Sequence, residues 1–240
     1  MLGRRRLSSR PMSGGLSVVC GASGGLGPAV LDALAALGDP VVGVASPRSD
    51  AAQLVALRPG VHWERADLAE PAAVEQLWRR IDVRGEVRRL VNVTGGFAGG
   101  TVAMTAPDRV REMLRLNLET AWWSAREAAR RMVALGSGAI VNVGSRAGQS
   151  LGGGAAAYAV SKAALHAFTQ VLAAELSGSG VRVYAVVPGT IDTPANRASM
   201  PSADLATAIP AEQVAEVVAA LCDGSLVAVS GALVPVFRRG

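Results

Sequence analysis

The sequence predicts an α/β fold in which one doubly wound parallel sheet carries helices on both faces. Two observations lead to this prediction: short apolar segments alternate with helical segments along the chain, and the first apolar segment ends in a glycine-rich turn that opens a helix. Strands that are apolar at every position are buried on both sides, as they are in parallel sheets. Alternating strands and helices then require crossover helices that cover both faces.

In the first half of the chain, each apolar segment has the length of a strand and ends at a turn signal. Pro28 fits the first turn of the first helix, where no backbone N–H is needed. The predicted elements are strand Leu16–Cys20, helix Pro28–Leu37, strands Val41–Ala45 and Val61–Ala66, helix Pro71–Ile81 and strand Arg89–Val93.

The second half repeats the alternation with longer helices. The predicted elements are helix Pro107–Leu135, strand Ala139–Val143, helix Ala155–Leu176, strand Val181–Val187, helix Ala211–Leu221 and strand Leu233–Val236. No Pro/Ser/Gly-rich or charged spacer divides the chain, so we expect residues 14–240 to form one domain. Residues 1–13 are expected to be a flexible basic arm.

The composition is that of a globular protein. Of the 240 residues, 50% are hydrophobic and 18% are charged, which allows an ordinary core and is too apolar for disorder. No apolar run approaches the roughly 18 residues of a membrane span. The arginines at positions 4–6 have no apolar segment behind them, so we expect no secretory signal and a cytoplasmic protein.

Basic residues outnumber acidic ones, and the net charge is +5. The arginines are scattered and do not alternate with aromatic residues as in single-strand binders, so no nucleic-acid partner is expected. The two cysteines, Cys20 and Cys222, belong to no Cys-x-x-Cys or Cys/His cluster. We therefore expect neither a disulfide nor a metal site.

The turn after the first strand has the pattern Gly21-x-x-x-Gly25-x-Gly27. A phosphate group needs free backbone N–H groups, a helix N-terminus and no Cβ in its way, which such a turn provides. An acid about 20 residues further on would accept the ribose hydroxyl of NAD, but Ser46 and Arg48 stand there instead. The sequence therefore favours NADP(H) over NAD(H), with a solvated loop charge as the alternative explanation of Arg48.

A tyrosine and the chain's single lysine are spaced four residues apart, as Tyr158 and Lys162. On a helix this spacing places both side chains on one face. An ammonium near a phenol stabilises phenolate, so we expect Lys162 to lower the tyrosine pKa and make Tyr158 a general acid or base. Ser145 follows the preceding strand, and its hydroxyl can polarise a substrate carbonyl beside Tyr158.

With these motifs in place, the chain from about Leu16 onwards resembles the short-chain dehydrogenase/reductase family, whose members have a Rossmann fold. Asn117, Ser145, Tyr158 and Lys162 fit its catalytic tetrad. Cys20 departs from the family pattern, as does the pair Val93-Thr94. The residues that fit its cofactor-binding motifs are Gly21, Ser23, Gly24, Gly25, Leu26, Gly27, Asp67, Leu68, Asn92, Gly95, Pro188, Gly189, Ile191 and Thr193, in addition to Ser46, Arg48, Tyr158 and Lys162.

The resemblance implies a role for each group. Tyr158 would donate or accept the proton, Lys162 would hold the ribose and tune Tyr158, Ser145 would orient the substrate, and Asn117 would hold a water. Asp67-Leu68 would contact adenine, and Ile191 and Thr193 the nicotinamide carboxamide. It also implies a homodimer or homotetramer that pairs helices 107–135 and 155–176.

The helix 107–135 contains the pair Trp122-Trp123. Adjacent helical residues point about 100° apart, so one tryptophan can face the sheet and the other a partner subunit. The alternative is that both belong to the core.

The substrate is less defined by the sequence. A lid at about residues 190–210 is short, which suits a small or flat substrate. Its segment 192–204 is similar to the corresponding loop of dihydropteridine reductase, a divergent member of the family.

Three functions stay open from the sequence. The first is NADPH-dependent reduction of a small carbonyl compound, or the reverse alcohol oxidation, with Tyr158 as general acid/base. The second is reduction of a C=N or quinonoid pterin-like substrate. The third is nucleotide binding without catalysis.

Overall fold

A computed structural model describes residues 14–150, 152–201 and 205–237 of the chain. The predicted basic arm, residues 1–13, lies outside these described residues, and so do residues 202–204 of the predicted lid. The remaining predicted elements fall within them.

The centre of the fold is a seven-stranded, wholly parallel sheet with the order β3-β2-β1-β4-β5-β6-β9. A two-stranded ribbon, β7 with β8, lies outside it. The strands are β1 Leu16–Cys20, β2 Val41–Ala45, β3 His62–Arg65, β4 Val87–Asn92, β5 Gly138–Val143, β6 Val181–Pro188, β7 Ile191–Asp192, β8 Ile209–Pro210 and β9 Leu233–Val236. The predicted doubly wound sheet is confirmed.

The helices follow the strands as the alternation predicts. They are α1 Gly27–Ala35, α2 Ala51–Leu57, α3 Pro71–Asp82, α4 Pro107–Leu114, α5 Thr120–Leu135, α6 Ala147–Ser150, α7 Ala156–Glu175, α8 Pro194–Ser199 and α9 Ala211–Cys222. Within residues 14–150, 152–201 and 205–237, no helix combines the length and the apolar character needed to cross a membrane.

The core consists of two apolar layers, one on each face of the sheet. One layer packs α3, α5 and α7 against the strands and includes Trp78, Ile140 and Leu165. The other packs α1 and α9 against the opposite face and includes Leu31 and Val218. Strands β1, β4, β5 and β6 are buried along their length apart from one half-buried residue of β4, because both layers cover them.

Short elements that were not predicted include α6, α8, β7 and β8, and two longer segments also differ from the prediction. Helix α2 was not predicted, since it buries only Leu54 and therefore lacks an apolar stripe; Asp50 caps it by accepting a hydrogen bond from the Gln53 N–H. The stretch predicted as one helix, 107–135, is divided by a π-helical turn, Arg115–Glu119. π-turns of this kind occur often at functional sites, and this one contains Asn117.

The strand order reverses between β1 and β4, which connect to neighbours on opposite sides. In open α/β sheets, the crevice at such a point, outside the carboxyl ends of the strands, is where ligands bind. The glycine-rich turn after β1 and the segment after β4 both lie at this edge.

Candidate active site

The glycine-rich turn is packed too closely for side chains. Gly21 has φ +81°, and a Cβ there would lie 2.6 Å from the Thr94 nitrogen. A Cβ at Gly27 would lie 2.2 Å from the Ala22 carbonyl oxygen. These contacts are to backbone, which cannot move aside cheaply, so the turn requires glycine at both positions.

A cavity of about 530 Å³ opens beside this turn. It includes most of the residues predicted to bind a cofactor, together with several that were not predicted. Its lining residues are Gly21, Ser23, Gly24, Gly25, Leu26, Ala45, Ser46, Pro47, Arg48, Ala66, Asp67, Leu68, Val93, Thr94, Gly95, Arg115, Leu116, Thr120, Val143 and Ile191.

The cavity fits an extended dinucleotide. Its glycine turn leads into the N-terminus of α1, where a pyrophosphate finds free N–H groups. The Thr94 hydroxyl in its wall is buried and has no hydrogen-bond partner. A buried polar atom of this kind indicates a bound group that would satisfy it.

At the far end of the cavity, charged groups surround the position expected for the adenosine. Asp67 accepts hydrogen bonds from the Ala69 N–H at 3.0 Å and from Arg115 Nη2 at 2.7 Å. Burial would raise the pKa of Asp67, but these two hydrogen bonds and the nearby Arg48 charge hold it below its usual value. Asp67 is therefore an ionised carboxylate that is already paired.

Arg115 is a cavity residue that the sequence did not reveal. It lies in the π-helical turn and also contacts Glu70 at 3.3 Å. No local sequence motif points to Arg115. Its partner Asp67 is 48 residues away in the sequence, so only the folded structure brings the two together.

Asn92 was predicted to bind the cofactor, but its side chain points elsewhere. Its Nδ2 donates to Asn142 Oδ1 at 2.9 Å, and Asn142 Nδ2 donates to Thr169 Oγ1 at 2.9 Å. This buried chain of hydrogen bonds joins β4, β5 and α7. Asn92 is absent from the cavity lining, and its side chain instead joins β4 to β5.

Ser145 and Tyr158 form the centre of the candidate site. The Ser145 side chain lies close enough to Tyr158 to lower the tyrosine pKa, although burial has the larger effect and raises it overall. Ser145 Oγ also accepts a hydrogen bond from the Ala147 N–H at 3.2 Å.

Lys162 lies one helical turn beyond Tyr158 and is buried. Its Nζ donates to the Val143 carbonyl oxygen at 2.8 Å, and burial lowers its pKa to about 8. Burial and Ser145 are the groups that shift the Tyr158 pKa here. Lys162, with a pKa of about 8, is already neutral at the higher pH where Tyr158 ionises, so its predicted effect on the tyrosine applies only where the ammonium is charged.

Asn117 is fully buried and connects the segment after β4 to α7. Its Oδ1 accepts from the Gly96 N–H at 3.0 Å, and its Nδ2 donates to the Gly96 carbonyl and to Ser161 Oγ, each at 3.0 Å. A Cβ at Gly95 would lie 2.7 Å from Asn117 Oδ1 and 3.2 Å from Lys162 Nζ. Gly95 lines the cavity, so Asn117 and Lys162 lie against a residue of its wall, although neither is itself a lining residue.

His166 is a further residue that the sequence did not single out. It is buried one turn beyond Lys162, and its Nε2 accepts a hydrogen bond from the Ser145 N–H at 3.3 Å. Burial and the charge of Lys162 lower its pKa, so the neutral ring that can accept this bond is retained. The i, i+4 spacing from Lys162 was its one available signal.

The loop after β6 closes the other side of the cavity. Pro188 ends β6, and Gly189 donates to the Val236 carbonyl at 3.2 Å. Ile191 lines the cavity. Thr193 caps α8 by accepting a hydrogen bond from the Asn196 N–H. It also lies against the glycine turn, since a Cβ at Gly25 would be 2.8 Å from the Thr193 Cβ.

The geometry agrees with comparisons to known proteins. A model of the short chain dehydrogenase family matches residues 16–204. The chain belongs to the short-chain dehydrogenase/reductase family. It is an NAD(P)-dependent oxidoreductase, as its relatives are named reductases and dehydrogenases.

Two curated relatives and one solved structure illustrate the similarity to other family members. The 3-oxoacyl-(acyl-carrier-protein) reductase FabG of Escherichia coli is 31% identical over 77% of each chain. Galactitol 2-dehydrogenase of Rhizobium johnstonii is 34% identical over 94% of each chain. A short-chain dehydrogenase/reductase mutant of Serratia marcescens superposes with a TM-score of 0.84 at 29% identity, covering 95% of this chain and 98% of its own.

Proposed function

We propose that the protein reduces a small carbonyl compound with NADPH and that Tyr158 donates the proton. The observation that supports this most directly is the placement of the Ser145 side chain close enough to Tyr158 to act on its pKa, next to the cavity. The raised pKa of Tyr158 keeps the phenol protonated at neutral pH, which is the state that a proton donor in reduction needs.

The chain's own groups have complementary tasks in this reaction. When bound, the reduced nicotinamide supplies a hydride to the carbonyl carbon and is itself oxidised. The Ser145 hydroxyl donates a hydrogen bond to the carbonyl oxygen, and this bond strengthens as negative charge develops there. Tyr158 transfers its proton to the same oxygen, which completes the alcohol.

Lys162 and Asn117 support these groups. Below about pH 8 the Lys162 ammonium is charged and stabilises the negative charge that Tyr158 acquires as its proton leaves. Asn117 fixes Gly96 to Ser161, and Ser161 in turn donates to the Tyr158 carbonyl at 2.8 Å. Both residues therefore act close to Tyr158.

The preference for NADP(H) is supported by the charges of the cavity. Its lining within the described chain includes two guanidinium groups, Arg48 and Arg115, and one carboxylate, Asp67. Because Asp67 is paired with Arg115, the remaining positive charge of Arg48 suits a 2′-phosphate. Ser46, whose Oγ accepts from the Arg48 N–H at 3.3 Å, supplies a hydroxyl at the same place.

We also propose that the protein forms a homodimer or homotetramer through α5 and α7. Trp122 is 44% exposed and its ring stacks on Phe168 with centroids 4.6 Å apart. Trp123 instead packs against the core, so the two tryptophans divide as the helix geometry predicts. A groove beside Trp122 combines apolar residues such as Val133 and Leu172 with the charged residues Arg126, Arg130 and Glu175, a mixed lining that suits contact with a second copy.

The experiment that tests the proposed reaction is a parallel assay of NADPH and NADH. Loss of absorbance at the reduced-nicotinamide band would be followed with ketones, diketones, quinones and quinonoid dihydropterin. Turnover of a ketone with NADPH preferred supports the proposal. Turnover of quinonoid dihydropterin alone would favour a pterin reductase over the proposed carbonyl reductase. A protein that binds NADPH but turns over none of these substrates would favour nucleotide binding without catalysis.

A further inference from the structure

Phe97 lies exposed against the proposed catalytic tyrosine. Its ring centroid is 5.0 Å from that of Tyr158, in an edge-to-face arrangement with an interplanar angle of 69°. The side chain of Phe97 is nevertheless 70% exposed. A large aromatic ring that touches the reacting group and leaves most of its surface open offers that surface to whatever approaches Tyr158.

The position of Phe97 is fixed by contacts on both sides. Before it, Gly96 donates to and accepts from the side chain of Asn117. After it, Gly100 donates to the Gly154 carbonyl at 2.8 Å and accepts from the Ala156 N–H at 2.9 Å. These hydrogen bonds hold the segment to the first turn of α7, the helix that carries Tyr158.

Neither of the two chain segments that carry Phe97 and Tyr158 contains a charged residue. Val102 and Met104, which follow on the same segment, are 84% and 83% exposed. Residues 93–107 and 147–161, the segments on either side of the site, contain no charged side chain. A charged substrate group would find no partner on these segments, whereas an apolar ring gains from covering exposed apolar surface.

We propose that Phe97 is the platform for a planar aromatic ring attached to the reacting carbonyl, so that the substrate class is a neutral aryl ketone. This inference rests on the proposed carbonyl reduction. The carbonyl oxygen contacts Ser145 and Tyr158, and the aryl ring packs on Phe97, whose contact with Tyr158 places the two interactions side by side. Phe97 is thereby a specificity-determining residue that takes no part in proton transfer.

The test compares two ketones that differ mainly in aromaticity, acetophenone and cyclohexyl methyl ketone. The wild type and the variants Phe97→Leu and Phe97→Tyr would be assayed for kcat/KM with each. An aromatic pair contributes about 1 kcal/mol, so Phe97→Leu is expected to lower the ratio of acetophenone to cyclohexyl methyl ketone by about fivefold. Phe97→Tyr keeps a ring and is expected to retain the wild-type ratio.

A ratio that Phe97→Leu leaves unchanged, whether both ketones slow equally or neither does, would overturn the platform. A second measurement separates this result from failure of the proposed reaction. Dissociation constants of acetophenone would be measured by ligand-observed NMR in the presence of NADP⁺. If no ketone is reduced, the proposed reaction fails. The binding measurement then decides on Phe97 alone: a Phe97→Leu variant that binds acetophenone about fivefold more weakly supports the platform, and unchanged binding overturns it.

Discussion

At the residue scale, the proposed chemistry depends on protons held by buried groups. Burial raises the pKa of Tyr158 and lowers that of Lys162 to about 8, because it disfavours the charged form of each. Tyr158 therefore keeps its proton throughout the neutral range, while Lys162 loses its charge just above it. The buried neutral ring of His166 accepts the Ser145 N–H and holds the neighbouring strand end in place.

The first prediction concerns pH. Lys162 is charged below its pKa of about 8 and neutral above it, and the charged form is the one that stabilises the developing phenolate. The kcat/KM for reduction is therefore expected to be level below about pH 8 and to fall about tenfold per pH unit above it. Initial rates across pH 6–10 measure this.

Lys162→Arg provides the matched control, because an arginine stays charged throughout this range. Whatever its overall activity, its profile should lack the fall near pH 8. A wild-type profile without the fall, or a Lys162→Arg profile that retains it, would contradict the assignment.

The second prediction concerns Arg48. Its guanidinium lies at the cavity, and a charge-assisted hydrogen bond contributes about 1.5–3 kcal/mol. Arg48→Ala is therefore expected to weaken binding of 2′,5′-ADP by about tenfold or more and to leave 5′-ADP, which lacks the 2′-phosphate, nearly unchanged. Calorimetry with both nucleotides measures the difference.

Arg84→Ala removes the same charge at an exposed position after α3 and should change neither affinity. If Arg48→Ala lowered the affinity for both nucleotides equally, Arg48 would have only a general electrostatic effect, which would contradict its proposed contact with the 2′-phosphate.

At the element scale, the site is assembled from the loops at the carboxyl ends of the strands, and a buried ion pair joins elements at the opposite, amino edge of the sheet. Arg89 on β4 is buried and contacts Asp39 Oδ2 at 2.6 Å and the Cys222 carbonyl at the end of α9 at 3.0 Å. Asp39 Oδ1 accepts from the Gly14 and Gly15 N–H groups before β1. One ion pair thus joins the start of the sheet to its last helix.

The third prediction follows from this pair. Asp39→Ala removes the carboxylate from a buried guanidinium, and breaking a buried pair in this way costs about 3–5 kcal/mol of unfolding free energy. Urea denaturation measures the loss.

The pair of Arg58 with Asp32 is exposed, with side-chain exposures of 35% and 58%, so Asp32→Ala is the control and should cost less than about 1 kcal/mol. Similar losses in the two variants would contradict the importance given to the buried pair.

Much of the fold and the main site residues followed from local sequence patterns. Apolar runs predicted the sheet strands, and the spacing of Tyr158 and Lys162 predicted their shared face, because strand burial and helix periodicity are local properties. The direction of Asn92 could not be predicted, since its partner Asn142 is brought alongside by strand register. The π-turn at Asn117 lies inside a continuous helical pattern, and the pKa of Tyr158 depends on burial that only packing defines.

At the scale of the whole molecule, the sheet carries the cavity at its carboxyl edge, and a separate groove lies on α5 and α7. The groove there includes Trp122, Val133 and Phe168. An assembly through this face would leave the cavity edge accessible, since the groove and cavity share no lining residue.

The fourth prediction is that the protein in solution has a mass of at least twice the 24.5 kDa of one chain. Trp122→Glu places a charge in the groove, which disfavours its burial, and is expected to yield monomers. Light scattering after size exclusion measures both. Val55→Glu, on the exposed side of α2, is the control and should keep the wild-type mass. A wild-type mass of 24.5 kDa in solution would contradict the assembly.

The most direct test of the proposed reaction separates proton donation from cofactor binding in one variant. Tyr158→Phe removes the phenolic hydroxyl and keeps the ring, so the dissociation constant of NADPH should stay within about twofold of the wild type while kcat for ketone reduction falls about 10²–10⁴-fold. The measurement is NADPH titration by fluorescence alongside turnover of the best ketone. Turnover that persists in Tyr158→Phe at near the wild-type rate would contradict the role of Tyr158 as proton donor.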